Sequence, residues 1–310
     1  MKNIRQLNVT YGKRKVGTLA LYDRQITAFQ YDKDWLLNGF SINPFSLPLE
    51  NRLFLPKIDP FEGLFGVFSD SLPDGWGRLL VDRFLLNNQI NPRTIGNLER
   101  LAIVGSSGMG ALCYEPEQIL QGTLKHSMDL DLLAKACEDV LTTDYSDQLD
   151  DLFLLGGSSG GARPKILTTV NNEDWIIKFP SHYDSKDIGR QEFDYALCAK
   201  SCGIEMADVR LFPSKLGDGY FGTKRFDRIF VEDGVERKHM ISVSALLETS
   251  HRIPNLDYTI LLKLTAQLTK SHDEVLKMYR LMCFNVFAHN RDDHSKNFSF
   301  INFVQGNPNF

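Results

Sequence analysis

Residues 288–300 read AHNRDDHSKNFSF. Between 288 and 297 the chain places two aspartates, two histidines, two asparagines, an arginine and a lysine, directly after an apolar segment. Chance charges on a solvated loop would account for that composition but not for its spacing. One chemical reading takes His289, Asp292, Asp293 and His294 as ligands of a divalent metal in a hydrolase, because imidazoles and carboxylates suit such ions. Another depends on what lies upstream.

Upstream, Gly156 to Gly161 supplies four glycines and two serines within LGGSSGGARPK. Glycines let backbone amides approach an anion closely, and consecutive N–H groups form an anion nest. The run fits neither the Walker A pattern nor G-x-G-x-x-G, so by itself it suits a flexible linker equally well. Two strand-like runs follow, KILTTV and WIIKF, and the second holds Lys178 among apolar neighbours. That position is costly unless the ammonium reaches solvent or an anion. A strand lysine beside a glycine-rich loop is how protein kinases hold nucleotide phosphates. Arg291, Asp292 and Asn297 then fall into the kinase catalytic-loop pattern R-D-x-x-x-x-N. Asp292 takes the place of the base, Asn297 that of a Mg2+ ligand, and His294 and Lys296 can offset phosphate charge. The hydrolase reading leaves the loop and Lys178 unexplained.

With 310 residues, 43 % of them hydrophobic, the chain can bury a large core in about two lobes. A net charge of −4 gives no chain-wide footprint for autonomous binding to DNA or to anionic membranes. Five cysteines without a C-x-x-C motif suggest buried or inert thiols in a reducing compartment, and no signal peptide or membrane span is legible, so a cytoplasmic protein is expected. QLNVTY, VGTLALY and QITAFQY alternate as a β-meander should. Asp74 or Ser71 could open a helix through Leu79, Leu80, Phe84 and Leu85, LAIVGSSGMGALCYEP suggests strand, turn and strand, and Ser127 could cap a helix over 127–143. SKDIGRQEFDYALCAKSCG reads as a helix closed by Gly203, and two more helices precede residue 288, the second capped by Ser271. Glu192 could pair with Lys178, although an exposed helix glutamate is the commoner arrangement.

Taken together, FGVFSDSLPDGWGRLLVDR, GMGALCYEP, GGSSGGARPK and HNRDDHSKNFSF resemble the HipA-type serine/threonine kinases, the toxin halves of bacterial toxin–antitoxin pairs. WIIKFPS, QEFDYALCAKSCGI and GTKRFDR support the likeness. It implies an α+β, two-lobed protein-kinase-like fold: an N-terminal HipA-type subdomain, β-rich, over 1–120, a nucleotide-binding core over 121–240, and a helical C-terminal lobe over 241–310. It also implies ATP and Mg2+ as cofactors. Gly160, Gly161, Ala162, Arg163, Pro164 and Lys165 resemble the phosphate-binding loop, Lys178 the ATP lysine, and Lys224, Arg225 and Phe226 the adenine-contacting hinge. Asp292 resembles the catalytic base, His294 an ATP contact and Asn297 a Mg2+ ligand. Ser158, with Ser159 beside it, falls at the family's inhibitory autophosphorylation site. The implied partners are a helix-turn-helix antitoxin of HipB type, which makes the DNA contacts, and a protein substrate such as an aminoacyl-tRNA synthetase or another translation factor.

The sequence departs from this pattern in one respect. No Asp or Glu follows Asp293, whereas kinase chemistry uses a second metal-binding carboxylate beyond the catalytic loop. The expectation is a truncated chain, or a site completed by another chain, that binds nucleotide but transfers phosphate poorly. A catalytically crippled nucleotide-binding regulator or scaffold is therefore the alternative to an active kinase.

Overall fold

Alternation builds the first sheet. In Gln6–Tyr11 every second side chain is apolar, and Arg14–Leu21 brings Val16 and Leu19 to the same core, which suits strands with one face buried. The computed structural model, which describes residues 3–118, 129–143, 146, 148–232 and 234–302, pairs them antiparallel. Thr27–Tyr31 flanks one side and Leu112–Glu115 the other. Leu7, Val9, Leu19 and Phe29 are fully buried beneath this sheet.

The same core takes in Ile241, Val243, Leu261, Leu264 and Phe298 from the far end of the chain. Strands His239–Ser242 and Ser299–Asn302 pair beside it. Packing units are thus not colinear with the sequence: residues 288–298 hang from a core built largely by the first 115 residues. Helices Tyr258–Thr269, capped by Asp257, and His272–Phe287, capped by Ser271, lead into that segment.

A second antiparallel sheet has the order Lys165–Val170, Glu173–Lys178, Tyr220–Lys224, Val209–Phe212. Asn171 and Asn172 turn its first hairpin with φ of 52° and 60°, left-handed values that asparagine tolerates. Trp76, Leu80, Leu133, Leu152, Ile166 and Ile177 form its core, so helix Gly75–Asn87, although early in the chain, packs into this lobe. Truncating Trp76 to alanine there would cost about 3–5 kcal/mol. Helix Ile188–Ser201 packs on the two later strands and ends at Cys202, with Gly203 at φ 77° just beyond.

Two expectations change. Residues Asn97–Val104 form a helix, not a buried strand, because Leu98, Leu101 and Ala102 share one helical face and a short apolar run does not declare its period. Asp129, by accepting from the N–H groups of Asp131 and Leu132, caps helix Leu130–Thr142; Ser127 lies outside the described residues. The five cysteines are free, Cys137 buried and Cys198 and Cys202 exposed. Among the described residues no helix is long and apolar enough to cross a membrane.

Candidate functional site

The hairpin register sets Lys165 opposite Lys178 at the mouth of the glycine-rich loop. Two adjacent ammonium groups repel, and they turn to different partners. Lys165 Nζ donates back to the Gly160 carbonyl at 2.5 Å, and burial, with the charge of Lys178, lowers its pKa to about 8. Lys178 Nζ stands 3.1 Å from Glu192 Oε2 and 3.4 Å from Oε1, and 5.2 Å above the Phe221 ring. Glu192 is therefore an ion-pair partner and not an unpaired, exposed helix residue. Arg163 of the loop shares the same carboxylate at 2.7 Å and reaches Asp184 at 3.1 Å.

A segment that the sequence presents as architectural backs this loop. Trp76 donates its indole N–H to the Lys165 carbonyl at 3.0 Å and its backbone N–H to the Gly161 carbonyl at 2.9 Å. Gly75 has φ 45°, and a Cβ there would come within 2.5 Å of the Gly161 oxygen. Asp74 occupies the N-cap position of helix Gly75–Asn87, yet its side chain makes no cap bond. Its Oδ1 accepts from the Gly161 N–H and its Oδ2 from Lys296 Nζ. Burial would raise the Asp74 pKa, but Lys296 and the Gly161 amide outweigh it and hold the carboxyl below its ordinary value.

Lys296 belongs to the opening stretch, which this bridge brings against the glycine-rich loop. The stretch holds its shape by a relay. Tyr258 donates to Asp293 at 2.7 Å, Asn285 donates to Tyr258 at 2.9 Å, and Asn290 accepts the Asp292 N–H at 3.0 Å. Asn297 donates its amide to the Asp292 carbonyl, and the Phe298 and Ser295 carbonyls are tied to Val243 and Ser244 at 2.9 and 3.0 Å. The Asp292 carboxylate stays 82 % exposed, with His294 Nε2 at 3.4 Å. His251 lies beside His294, ring centroids 5.2 Å apart. Asp74 and His251 are the site residues that sequence reasoning missed. Nothing in their spacing announces partners so far along the chain.

The remaining candidates fall around this centre. Lys224 pairs with Trp175, three positions before Lys178 and so about 10 Å along the strand; its ammonium meets Glu173 at 2.5 Å. Phe226 is exposed. Arg225 turns inward, binding Asp227 at 2.9 and 2.8 Å and the Gly108 carbonyl at 3.2 Å. Ser158 Oγ donates to the Ser107 carbonyl at 3.1 Å, whereas Ser159 is buried with Oγ donating to Gly156 at 2.6 Å. Ala162 and Pro164 complete the loop between Gly161 and Lys165. His289, Asp292, Asp293 and His294 do not converge, Asp293 being held by Tyr258. Among the described residues no group of three or more His, Cys, Asp or Glu is placed to hold a metal ion, which removes the basis of the hydrolase reading.

An antiparallel lobe whose lysine pairs with a helix glutamate, set beside a helical lobe that carries the Arg291–Asn297 loop, defines a two-lobed, kinase-like protein. The HipA N-terminal domain family matches residues 7–115 and the HipA-like C-terminal domain family residues 157–309. The chain belongs to the HipA family of toxins. Among solved structures it is similar to the Shewanella oneidensis MR-1 toxin–antitoxin protein HipA, solved with HipB and operator DNA. The likeness has 21 % sequence identity and a TM-score of 0.67, and covers 96 % of this chain and 72 % of that one. No curated protein matches it.

Proposed function

We propose that this chain is an ATP-dependent serine/threonine protein kinase of the HipA toxin type. The observation that carries the reading is the Lys178–Glu192 ion pair beside the glycine-rich loop, because a buried-edge lysine fixed by a helix carboxylate is the device that orients nucleotide phosphates in kinases. The site fits a polyanion. Arg163, Lys165, Lys178 and Lys296 converge on it, and Gly161 leaves room that a Cβ would fill, 2.6 Å from Lys165 Nζ.

Asp292, the exposed carboxylate of the loop, would accept the proton of the substrate hydroxyl and orient it. Lys178 and Lys296 would hold phosphate oxygens, and the His294 ring would make a further contact to the nucleotide. The Asn297 side-chain oxygen would be a donor of the kind Mg2+ prefers. Magnesium held there would offset the charge that develops on the phosphates during transfer. Of Lys224, Arg225 and Phe226, the exposed Phe226 would serve the adenine with its ring, since the Arg225 side chain is committed to Asp227 and the Lys224 and Arg225 N–H groups to the Asp208 and Asp174 carbonyls.

HipB and operator DNA accompany the Shewanella HipA. By that likeness the partner here is a helix-turn-helix antitoxin of HipB type, through which alone the chain meets DNA. The proposed substrate is a cytoplasmic translation factor such as an aminoacyl-tRNA synthetase. Isothermal titration with MgATP and a single-turnover transfer assay test the reading. Nucleotide binding with slow transfer is expected of the wild-type chain, and Asp292→Asn should abolish the transfer that remains while binding is retained. Transfer that survives this substitution would remove the assignment of Asp292.

A further inference from the structure

Asp74 holds the groups that the proposed function gives to phosphate. One carboxylate oxygen takes the Gly161 N–H of the glycine-rich loop and the other takes the Lys296 ammonium of the 288–300 stretch. We propose that Asp74 is a built-in anion that stands in for the terminal phosphate, tying the two loops together until a nucleotide phosphate displaces it. The inference rests on the kinase reading and adds an occupant of the same site.

Three observations support it. Asp74 stands where a helix cap should be, yet its side chain caps nothing, so its orientation is not explained by the helix it opens. Its backbone cannot drift, because Trp76 and Gly75 press on Gly161 and Ala162. Both of its partners are cationic or N–H donors, and a phosphate oxygen satisfies such donors as well as a carboxylate does. Unlike a free anion, Asp74 carries no binding entropy cost, so it keeps Lys296 and the loop paired while nucleotide is absent. A phosphate that displaces it must also tolerate the carboxylate charge nearby, and affinity falls accordingly.

The test is a double-mutant cycle on the full chain, read by titration with MgATP. Asp74→Asn removes the competing charge, and Asp74→Ser, a good helix cap, is too short to reach Lys296. At least one of the two should fold with unchanged melting. ATP binding at least about tenfold tighter is expected in the folded variant. With Lys296→Met added, the gain should shrink to about twofold or less, since there is no ammonium left to release. A helix-capping role would weaken stability and leave affinity alone. A long-range charge effect would give the same gain with or without Lys296. Wild-type binding that is unchanged or weaker in the Asp74 variants, or a gain independent of Lys296, overturns the inference and leaves the kinase reading standing. Absence of ATP binding in every variant overturns both.

Discussion

Lys178 and Glu192 meet across the gap between strand and helix, Nζ to Oε2, at 3.1 Å. They lie 14 positions apart on elements that do not hydrogen-bond to each other, so the pair exists only because helix Ile188–Ser201 packs on this sheet. It gives the lysine a fixed direction, toward the mouth of the glycine-rich loop.

That relationship sets the first prediction. The Lys178 side chain is one third exposed, and exposed ion pairs contribute only about 0–1 kcal/mol. Lys178→Met should therefore leave melting nearly unchanged while MgATP affinity falls at least about tenfold, which is about 1.4 kcal/mol. Glu192→Gln should keep binding largely intact and slow transfer by a similar factor, because Lys178 stays but loses its aim. Titration beside thermal melts separates these effects. Full ATP affinity in a folded Lys178→Met protein would end the assignment.

Control of the site should act on Ser158. Its hydroxyl is accessible and only loosely held, whereas Ser159 is sealed under Gly156. A phosphate on Ser158 would add roughly −2 charge beside the cationic loop and reorganise it. Peptide mass spectrometry of an active preparation should find the phosphate on Ser158 and none on Ser159. Ser159→Ala should instead destabilise the fold by about 1 kcal/mol through its lost hydrogen bond. Phosphate confined to Ser159 would contradict the burial argument.

Asp227 should be the most costly single charge to remove. It is fully buried, held by Arg225 and Arg228 at 2.8 and 2.7 Å and by the Gly110 N–H at 2.7 Å. Burial pushes its pKa up, but the two guanidiniums and the amide prevail and lower it overall. A carboxyl depressed on folding adds stability above its unfolded value, and that stability is lost as pH falls through the acid range. Asp227→Ala would strand two buried guanidiniums and cost about 3–5 kcal/mol by denaturant melting. A loss under about 1 kcal/mol would mean that water reaches this cluster.

His239 gives the pH dependence nearer neutrality. It is buried, Nε2 donating to the Ile42 carbonyl at 2.9 Å. Burial lowers its pKa from the ordinary 6.5 to about 4. With the folded value below the unfolded one, protonation favours the unfolded chain, so stability is full above about pH 6.5 and declines toward pH 4. The slope reaches at most about 1.4 kcal/mol per pH unit. His239→Gln should flatten stability between pH 7 and 5. An equal decline in both proteins would assign the dependence to other groups.

Much of this could be read from residues in order. The meander, the asparagine-turned hairpin, the Ser271 cap and the Gly203 stop rest on local sterics, which a short window contains. Leu101–Val104 is four apolar residues in a row, which satisfies both periods, and only the packing of Asn97–Val104 against the first sheet chooses the helix. The glycine-rich loop, Lys178 and the Arg291–Asn297 pattern were visible as chemistry in search of a geometry.

The sequence by itself determined which segments could present ammonium, guanidinium and N–H donors to an anion, since residue type and spacing fix what a loop can donate and accept. Tertiary structure alone decided who meets whom. Glu192 reaches Lys178, Arg225 turns away to Asp227, and Asp74 links Gly161 to a lysine 222 positions on. Such pairings depend on loop closures over distances no local propensity senses, and they form only when burial of the two cores brings the segments together.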